Sequence, residues 1–126
     1  MVEGLNDTGR ERVILPYPGG ELFLLTSEAS DTDGETGITD KSIASTSTAT
    51  SDWATSTDNT AGTTTLENST TFEFPNVSTT DTINQVALQS VDDVDEFVIF
   101  NDPNDPSPDN GIEYQAGEIT YTLGGE

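Results

Sequence analysis

The chain has 126 residues, of which 24 are acidic and only 3 are basic, and with no histidine or cysteine its formal charge at pH 7 is −21. This composition excludes disulfides, zinc sites with thiolate or imidazole ligands and Ser-His or Cys-His nucleophiles, and nucleic-acid binding, which needs a cluster of cations. Dense carboxylates repel one another, but molar salt shortens the Debye length to about 3 Å, so the charge indicates either a protein adapted to concentrated salt or a disordered chain.

Residues 1–26 are predicted to be an N-terminal docking segment followed by a first strand. The polar run at residues 6–12 contains Arg10 and Arg12, two of the few cations in the chain. Residues 7–15 could form one or two helical turns, with Asp7 or Thr8 as the cap. We expect the two arginines to dock onto an acidic neighbour, although ordinary solvated side chains would give the same pattern.

The rest of the N-terminal segment is a turn and a strand. Residues 16–20 read Pro-Tyr-Pro-Gly-Gly, a strong turn signal. The apolar run at residues 21–26 is too short for a convincing helix and predicts a buried strand. No signal sequence opens the chain, and no apolar run approaches the roughly 20 residues of a membrane span, so we expect no membrane contact.

Residues 27–70 are dominated by Ser, Thr, Asp and Gly. Disorder is most plausible here, and we expect a long loop with short strands that is mobile until it packs against something. Trp53 is the exception in this segment, because a single large aromatic in a polar tract can anchor the tract to a neighbour. We therefore take Trp53 as a third candidate interface residue.

Residues 71–126 carry the clearest strand signals. Apolar and polar residues alternate, or β-branched and aromatic residues cluster, in five short runs separated by turn residues, at residues 71–75, 82–88, 96–100, 112–114 and 119–123. Such runs favour an antiparallel sheet structure. With 31% hydrophobic residues the core must be thin, so the sequence predicts one all-β domain, a small antiparallel β-sandwich or barrel with long Ser/Thr/Asp-rich loops.

The densest polar cluster lies between two of these strands, at residues 101–111. Its carboxylate and amide oxygens suit Ca²⁺ or Mg²⁺, and the candidate ligands are Asp102, Asn104, Asp105 and Asp109. The EF-hand pattern is not met, because a serine occupies the position of the required glycine and three prolines disfavour the loop geometry. The alternative is a stiff, solvated connection without a bound ion, and we expect no other cofactor.

Two further acidic groups, at residues 31–35 and 92–96, are expected to be surface or turn residues. Paired carboxylates can serve as acid and base in a glycosidase, but a small chain with a thin core is not expected to build the cleft that an enzyme needs. Three Asn-X-Ser/Thr triplets begin at Asn6, Asn68 and Asn76. They fit the glycosylation rule, which a Ser/Thr-rich chain often meets by chance.

In its organisation the chain resembles the small β-rich structural proteins of tailed viruses, in the acidic form expected of a haloarchaeal host. The resemblance rests on the polar lead-in at residues 6–12, the Ser/Thr-rich tract with Trp53 and the final strand run at residues 116–123. It implies a head or tail protein of the virion, such as a capsid decoration or turret, without catalytic residues. Its partners would then be copies of itself and other virion proteins, such as the major capsid or tail proteins.

A second function of a different class is compatible with the same features. A cell-surface or secreted adhesion module that binds a cation or a glycan would also be acidic, β-rich and Ser/Thr-rich. The two functions make different demands, since the adhesion module needs its ligand loop and the virion protein needs a docking surface.

Overall fold

A computed structural model describes residues 5–74, 77, 82–101 and 111–124. Within these residues there are two short α-helices, a turn of 3₁₀ helix and nine strands. In chain order they are α1 (Asp7–Ile14), β1 (Glu21–Leu25), α2 (Glu35–Lys41), β2 (Ser42–Ser47), the 3₁₀ turn (Thr50–Asp52), β3 (Trp53–Asp58), β4 (Thr63–Asn68), β5 (Phe72–Phe74), β6 (Gln85–Gln89), β7 (Phe97–Asn101), β8 (Ile112–Tyr114) and β9 (Thr120–Gly124).

The described strands form three antiparallel sheets. The largest has the order β2-β1-β6-β7, the second has the order β3-β4-β9, and β5 pairs with β8 alone. The predicted all-β, sandwich-like fold is confirmed, and the sheets do not close into a barrel. Because β1 lies between β2 and β6, and β4 between β3 and β9, distant parts of the chain share each of the two larger sheets.

The strands predicted from alternation are present. The run at residues 21–26 is β1, and the five runs after residue 70 correspond to β5, β6, β7, β8 and β9 with shifts of up to three residues at their ends. Alternation marks strands that have one buried and one exposed face, as the inward Phe72 and Phe74 and the outward Glu73 of β5 illustrate, whereas β1 is marked by an apolar run.

The main core lies between the four-stranded sheet and the other two sheets. Leu22 and Leu88 are fully buried on the inner face of the four-stranded sheet. The indole of Trp53 reaches across from β3, with its ring centroid 6.0 Å from that of Phe100 and 5.4 Å from that of Phe72. Trp53 thus anchors the Ser/Thr-rich tract to the core, as predicted for a single large aromatic residue in a polar segment.

The outer face of the four-stranded sheet is also covered. Phe23, Leu25 and Ala87 point outward and pack against α2, whose Ile38 is 1% exposed. This second apolar cluster explains why β1 is apolar without interruption, because both of its faces are buried. A partial third layer therefore adds to the thin two-layer core expected from composition.

The Ser/Thr-rich residues 27–70 hold more regular structure than a long loop with short strands. They contain α2 and three strands of six residues each, β2, β3 and β4. Threonine is β-branched and suits a strand with one solvated face. The polar alternation of β4 follows the pleat, with Thr64 and Leu66 buried and their neighbours more exposed.

Candidate interaction surface

The N-terminal helix predicted at residues 7–15 is present, but its cap is Asn6 rather than Asp7 or Thr8. The Asn6 side-chain Oδ1 accepts a hydrogen bond from the Gly9 N–H at 3.0 Å. A capping residue must have extended backbone, and Asn6 has φ −77° and ψ −177°, whereas Asp7 is already helical. The Gly9 N–H, which has no acceptor within the helix, therefore has one in the Asn6 side chain.

The inner side of α1 is fixed to β4 by a buried arginine. Arg10 is 4% exposed. Its Nε donates to Thr64 Oγ1 at 3.2 Å, and its Nη1 donates to the Leu5 carbonyl oxygen at 2.6 Å. Together with Ile14, which is also buried, this side chain holds the helix in one orientation on the three-stranded sheet.

The outer side of α1 carries exposed apolar residues. Leu5 is 48% exposed, Val13 43% and Leu15 74%, and the Arg12 side chain is exposed among them. At 100° per residue Gly9, Arg12 and Val13 share the outward side of the helix, while Leu5 precedes the helix and Leu15 follows it, nearer to Glu11 than to Val13. Leu5 lies beside Gly9, since a Cβ added to that glycine would lie 3.2 Å from Leu5 Cδ2. We call these five residues the docking face.

One charged side chain of α1 lies on the docking face, and the others lie elsewhere on the helix. Glu11 lies beside β3 and accepts a hydrogen bond from Thr57 Oγ1 at 2.9 Å. Asp7 is half-buried at the start of the helix. Of the residues that the structure describes in α1, Arg12 is the one charged side chain on the docking face.

A small cleft borders the docking face at Leu15. Its volume is about 300 Å³ and it lies between α1, the following turn and β3. Its lining residues are Glu11, Ile14, Leu15, Pro18, Thr50, Trp53 and Thr55. The indole of Trp53 is held at the base of the cleft, where its Nε1 donates to Thr48 Oγ1 at 3.1 Å.

The structure separates the three residues predicted for an interface. Arg10 and Trp53 are buried within the chain, where they fix α1 and the Ser/Thr-rich tract. Arg12 is exposed on the docking face, 2 positions along α1 from Arg10. The interface role stays a prediction, and Arg12 is the member of the set whose side chain is accessible. Leu5, Val13 and Leu15 were missed by the sequence reasoning, and a helical projection would not have grouped them, because Val13 and Leu15 are two positions apart and Leu5 precedes the helix.

A second concave region lies on the outer side of the four-stranded sheet. This acidic groove has a volume of about 560 Å³ and joins the two acidic groups expected at the surface. Its lining residues are Tyr17, Glu28, Ala29, Ser30, Asp31, Asp33, Ile38, Gln85, Asp95, Glu96, Phe97 and Ile99. Burial, and then the nearby Glu96 carboxylate, raise the pKa of the Tyr17 phenol.

The acidic groove also contains an ion pair. The Lys41 ammonium donates to Asp33 Oδ2 at 2.6 Å, and the Ser30 N–H donates to the same oxygen at 2.8 Å. These two hydrogen bonds lower the pKa of Asp33. In the part of the chain that the structure describes, no three carboxylates converge in a way that could hold a metal ion.

The predicted cation loop lies beyond the part of the chain that the structure describes. Its candidate ligands Asp102, Asn104, Asp105 and Asp109 all lie outside the described residues. Ca²⁺ or Mg²⁺ binding at this loop therefore remains a prediction from the spacing of its oxygens.

Asn68, the first residue of one glycosylation triplet, is a buried structural residue. Its Nδ2 donates to the carbonyl oxygens of Thr70 and Gln115, each at 3.0 Å. Its Oδ1 accepts from the N–H groups of Gly117 at 3.1 Å and Ile119 at 3.0 Å. The amide thus has all of its hydrogen-bonding capacity used inside the fold and is not presented for glycan attachment.

Among the described helices, neither is long and apolar enough to cross a membrane. Comparison of the chain with protein-family models, with curated proteins and with solved structures found no match.

Proposed function

We propose that this protein is a structural component of the virion of a halophilic tailed virus, and that it acts by protein–protein assembly. In the particle it decorates the capsid, forms a turret or occupies another position in the head or tail. Its partners in the particle are copies of itself and other virion proteins, such as the major capsid or tail proteins. The observation that carries the proposal is the docking face of α1.

The docking face has the make-up of an assembly contact. Three large apolar side chains on it are exposed, Leu5, Val13 and Leu15, and removing apolar surface from water is worth roughly 25 cal/mol per Å². Arg12 adds a cation among them, which suits a partner as acidic as the rest of this chain. Arginine is also enriched at the energetically important positions of interfaces.

The attachment of α1 makes the docking face rigid. The helix is short, at eight residues, and would be marginal alone. Arg10 and Ile14 tie it to the three-stranded sheet, so its outer side chains are already positioned before a partner arrives. A preorganised surface loses less conformational entropy on binding.

Quantitative mass spectrometry of purified particles tests the proposal. We expect the protein in the particle at hundreds of copies for capsid decoration or a turret array, or at a single small ring of copies for a neck or tail position. Absence from particles that contain the other structural proteins would contradict the proposal.

A pair of matched variants connects this test to the docking face. Leu15→Asp places a carboxylate on the face, and Val94→Asp places one at an exposed valine outside it, 54% exposed. We expect the first variant to be depleted from particles and the second to be incorporated like the unchanged protein. Equal incorporation of both would remove the docking face from the proposal.

A further inference from the structure

We infer that residues 27–40 form a lid, which is closed over the outer face of the four-stranded sheet in concentrated salt and opens in dilute solution. We call these residues the flap. Opening leaves the strands paired and uncovers the second apolar cluster, so salt sets the exposure of an apolar surface. The inference goes beyond the proposed virion role and does not depend on it.

The flap is an excursion within a β-hairpin. β1 and β2 pair with each other, and Leu25 at the end of β1 lies opposite Ser42 at the start of β2. The Thr26 N–H donates to the Lys41 carbonyl oxygen at 3.1 Å and closes the base of the excursion. Because its two ends meet at this base, the flap can move away from the sheet without breaking a strand pair.

The attachment of the flap to the sheet is small. Ile38 is its fully buried apolar side chain and packs on the outer face of the sheet. Two backbone N–H groups of the flap donate to side chains outside it, Ala29 to Gln85 Oε1 at 2.7 Å and Glu35 to Asp95 Oδ1 at 3.0 Å. A segment held by few buried contacts opens more readily than the strands of a core.

Carboxylates crowd the two segments that meet at the flap. The flap contains five acidic residues and no basic one, and the connection at residues 92–96 contains four more acidic residues. The acidic groove lies between these segments, with Glu28 and Asp31 on the side of the flap and Glu96 on the other. Like charges therefore face each other across the groove and oppose closure.

The nearby cation does not join the two segments. Lys41 pairs with Asp33, which belongs to the flap itself, so this ion pair does not hold the flap to residues 92–96. Repulsion between exposed charges extends over the Debye length, which is about 10 Å in 0.1 M salt and about 3 Å in 1 M salt. Salt thus weakens the force that opposes closure and leaves the apolar contact of Ile38 in place.

Opening of the flap uncovers a continuous apolar patch. Phe23, Leu25 and Ala87 are buried in the cluster that Ile38 covers, and Phe97 and Ile99 are partly buried against it. Their strands β1, β6 and β7 are adjacent in the four-stranded sheet. These side chains therefore form one surface when the flap leaves it.

Nile red, a neutral dye that fluoresces on apolar surfaces, tests the inference. We expect its fluorescence with the protein to be several-fold higher in 0.05 M KCl than in 2 M KCl, while the far-UV circular dichroism signal of the sheets is kept. Equal fluorescence in the two salts would overturn the inference. An increase that is accompanied by loss of the sheet signal would also overturn it, because that is general unfolding.

A disulfide can hold the flap closed, and the chain has no native cysteine to interfere. A Cβ added to Gly34 would lie 3.3 Å from the Asp95 Cβ, and the two Cβ atoms of a disulfide are usually about 3.5–4.5 Å apart. We expect Gly34→Cys/Asp95→Cys to lose the dye response in 0.05 M KCl when oxidised and to regain it in dithiothreitol. The reduced protein is the matched control. Equal dye fluorescence of the two forms in 0.05 M KCl would contradict the lid.

Two charge-matched variants test the cause and do not need the disulfide. Glu28→Gln/Asp31→Asn removes two carboxylates from the flap, and Glu73→Gln/Glu113→Gln removes two from β5 and β8, outside the flap. We expect the first variant to close at a KCl concentration at least about twofold lower than the unchanged protein, and the second to shift it less, because screened repulsion is local. Equal shifts would overturn the inference.

Discussion

Asn68 joins three segments of the chain through a single side chain. Its amide links the end of β4 to the turn before β5 and to the turn between β8 and β9. All four partners are backbone groups, and the Ile119 N–H is the one on a buried residue, so loss of the amide leaves that group without a partner.

We expect Asn68→Ala to lower the free energy of unfolding by about 2 kcal/mol, because a buried polar group left unpaired, here the Ile119 N–H, costs about 1–3 kcal/mol. Urea denaturation in 2 M KCl measures the loss. Asn84→Ala is the matched control, because the Asn84 amide donates one exposed hydrogen bond, to the Thr26 carbonyl, and should cost under about 1 kcal/mol. Similar losses in the two variants would contradict the role given to Asn68.

The pair of Lys41 and Asp33 has a pH dependence with a defined sign. The hydrogen bond from Lys41 lowers the pKa of Asp33 in the folded protein, relative to about 3.9 in an unfolded chain. A lowered carboxyl pKa stabilises the fold above the unfolded value, and the stabilisation is lost as the pH falls through the folded value.

A double-mutant cycle of Lys41→Met and Asp33→Asn measures this coupling. We expect a favourable coupling at pH 7 that declines below about pH 4 and vanishes in stronger acid, where Asp33 is protonated. The cycle cancels the effect of titrating the other carboxylates, which all four proteins share. A coupling that is constant from pH 7 to pH 2 would contradict the assigned cause.

At the scale of elements, α2 shows what the sequence could not reveal. It has seven residues and its N-terminal cap residue, Gly34, has no side chain. The missing acceptor comes from Asp95, whose Oδ1 accepts from the Glu35 N–H at 3.0 Å across 60 residues of sequence. Tertiary contacts create this helix, so no local pattern predicts it.

Ile38 is the side chain that fixes α2 to the sheet. We expect Ile38→Ala to destabilise the protein by about 3 kcal/mol, since it empties a buried site over Phe23 and Leu25. Ile43→Ala makes the same chemical change on β2, where the side chain is 38% exposed, and should cost under about 1.5 kcal/mol. Urea denaturation of both variants gives the comparison. Equal costs would show that α2 does not seal the outer face.

The strands that could be predicted from the sequence are those whose buried faces carry large apolar residues. β1 and the five later strands were predicted because apolar residues mark their buried faces. β2, β3 and β4 were not predicted individually, because their inward positions are filled partly by Ala, Thr and Ser. In the same way, the cationic run around α1 was recognised, but only packing shows that Arg10 points inward and Arg12 outward.

At the scale of the whole molecule, the charge of −21 governs stability. Both larger sheets combine strands from the two halves of the chain. We therefore expect the sheets to unfold as one unit, and repulsion between carboxylates in any part of the chain to lower the stability of the whole. We expect the thermal midpoint to rise steeply with KCl up to about 1 M, where the Debye length is about 3 Å, and to rise less beyond it. Circular dichroism at 0.05, 0.5, 1 and 3 M KCl measures this. An unchanged midpoint from 0.05 to 1 M would contradict it.

Removal of divalent cations distinguishes the virion role from the adhesion module. If the loop ligands are ordinary solvated residues, EDTA leaves the thermal midpoint in molar KCl unchanged, and this is the result that we expect. A millimolar Ca²⁺ requirement in calorimetry that persists in saturating KCl, and is lost in Asp102→Ala, would favour the adhesion module.

The contact of Arg10 with both ends of the described chain has a consequence for connectivity. Arg10 holds the Leu5 carbonyl, and its Cδ lies 3.0 Å from where a Cβ of Gly124 would be. Residues 5 and 124 are therefore neighbours, and a short linker could join them into a ring. Reopened at Gly62, a turn residue with φ +71° and open space around its Cβ position, the ring would be a circular permutant that keeps every strand pairing in a new chain order.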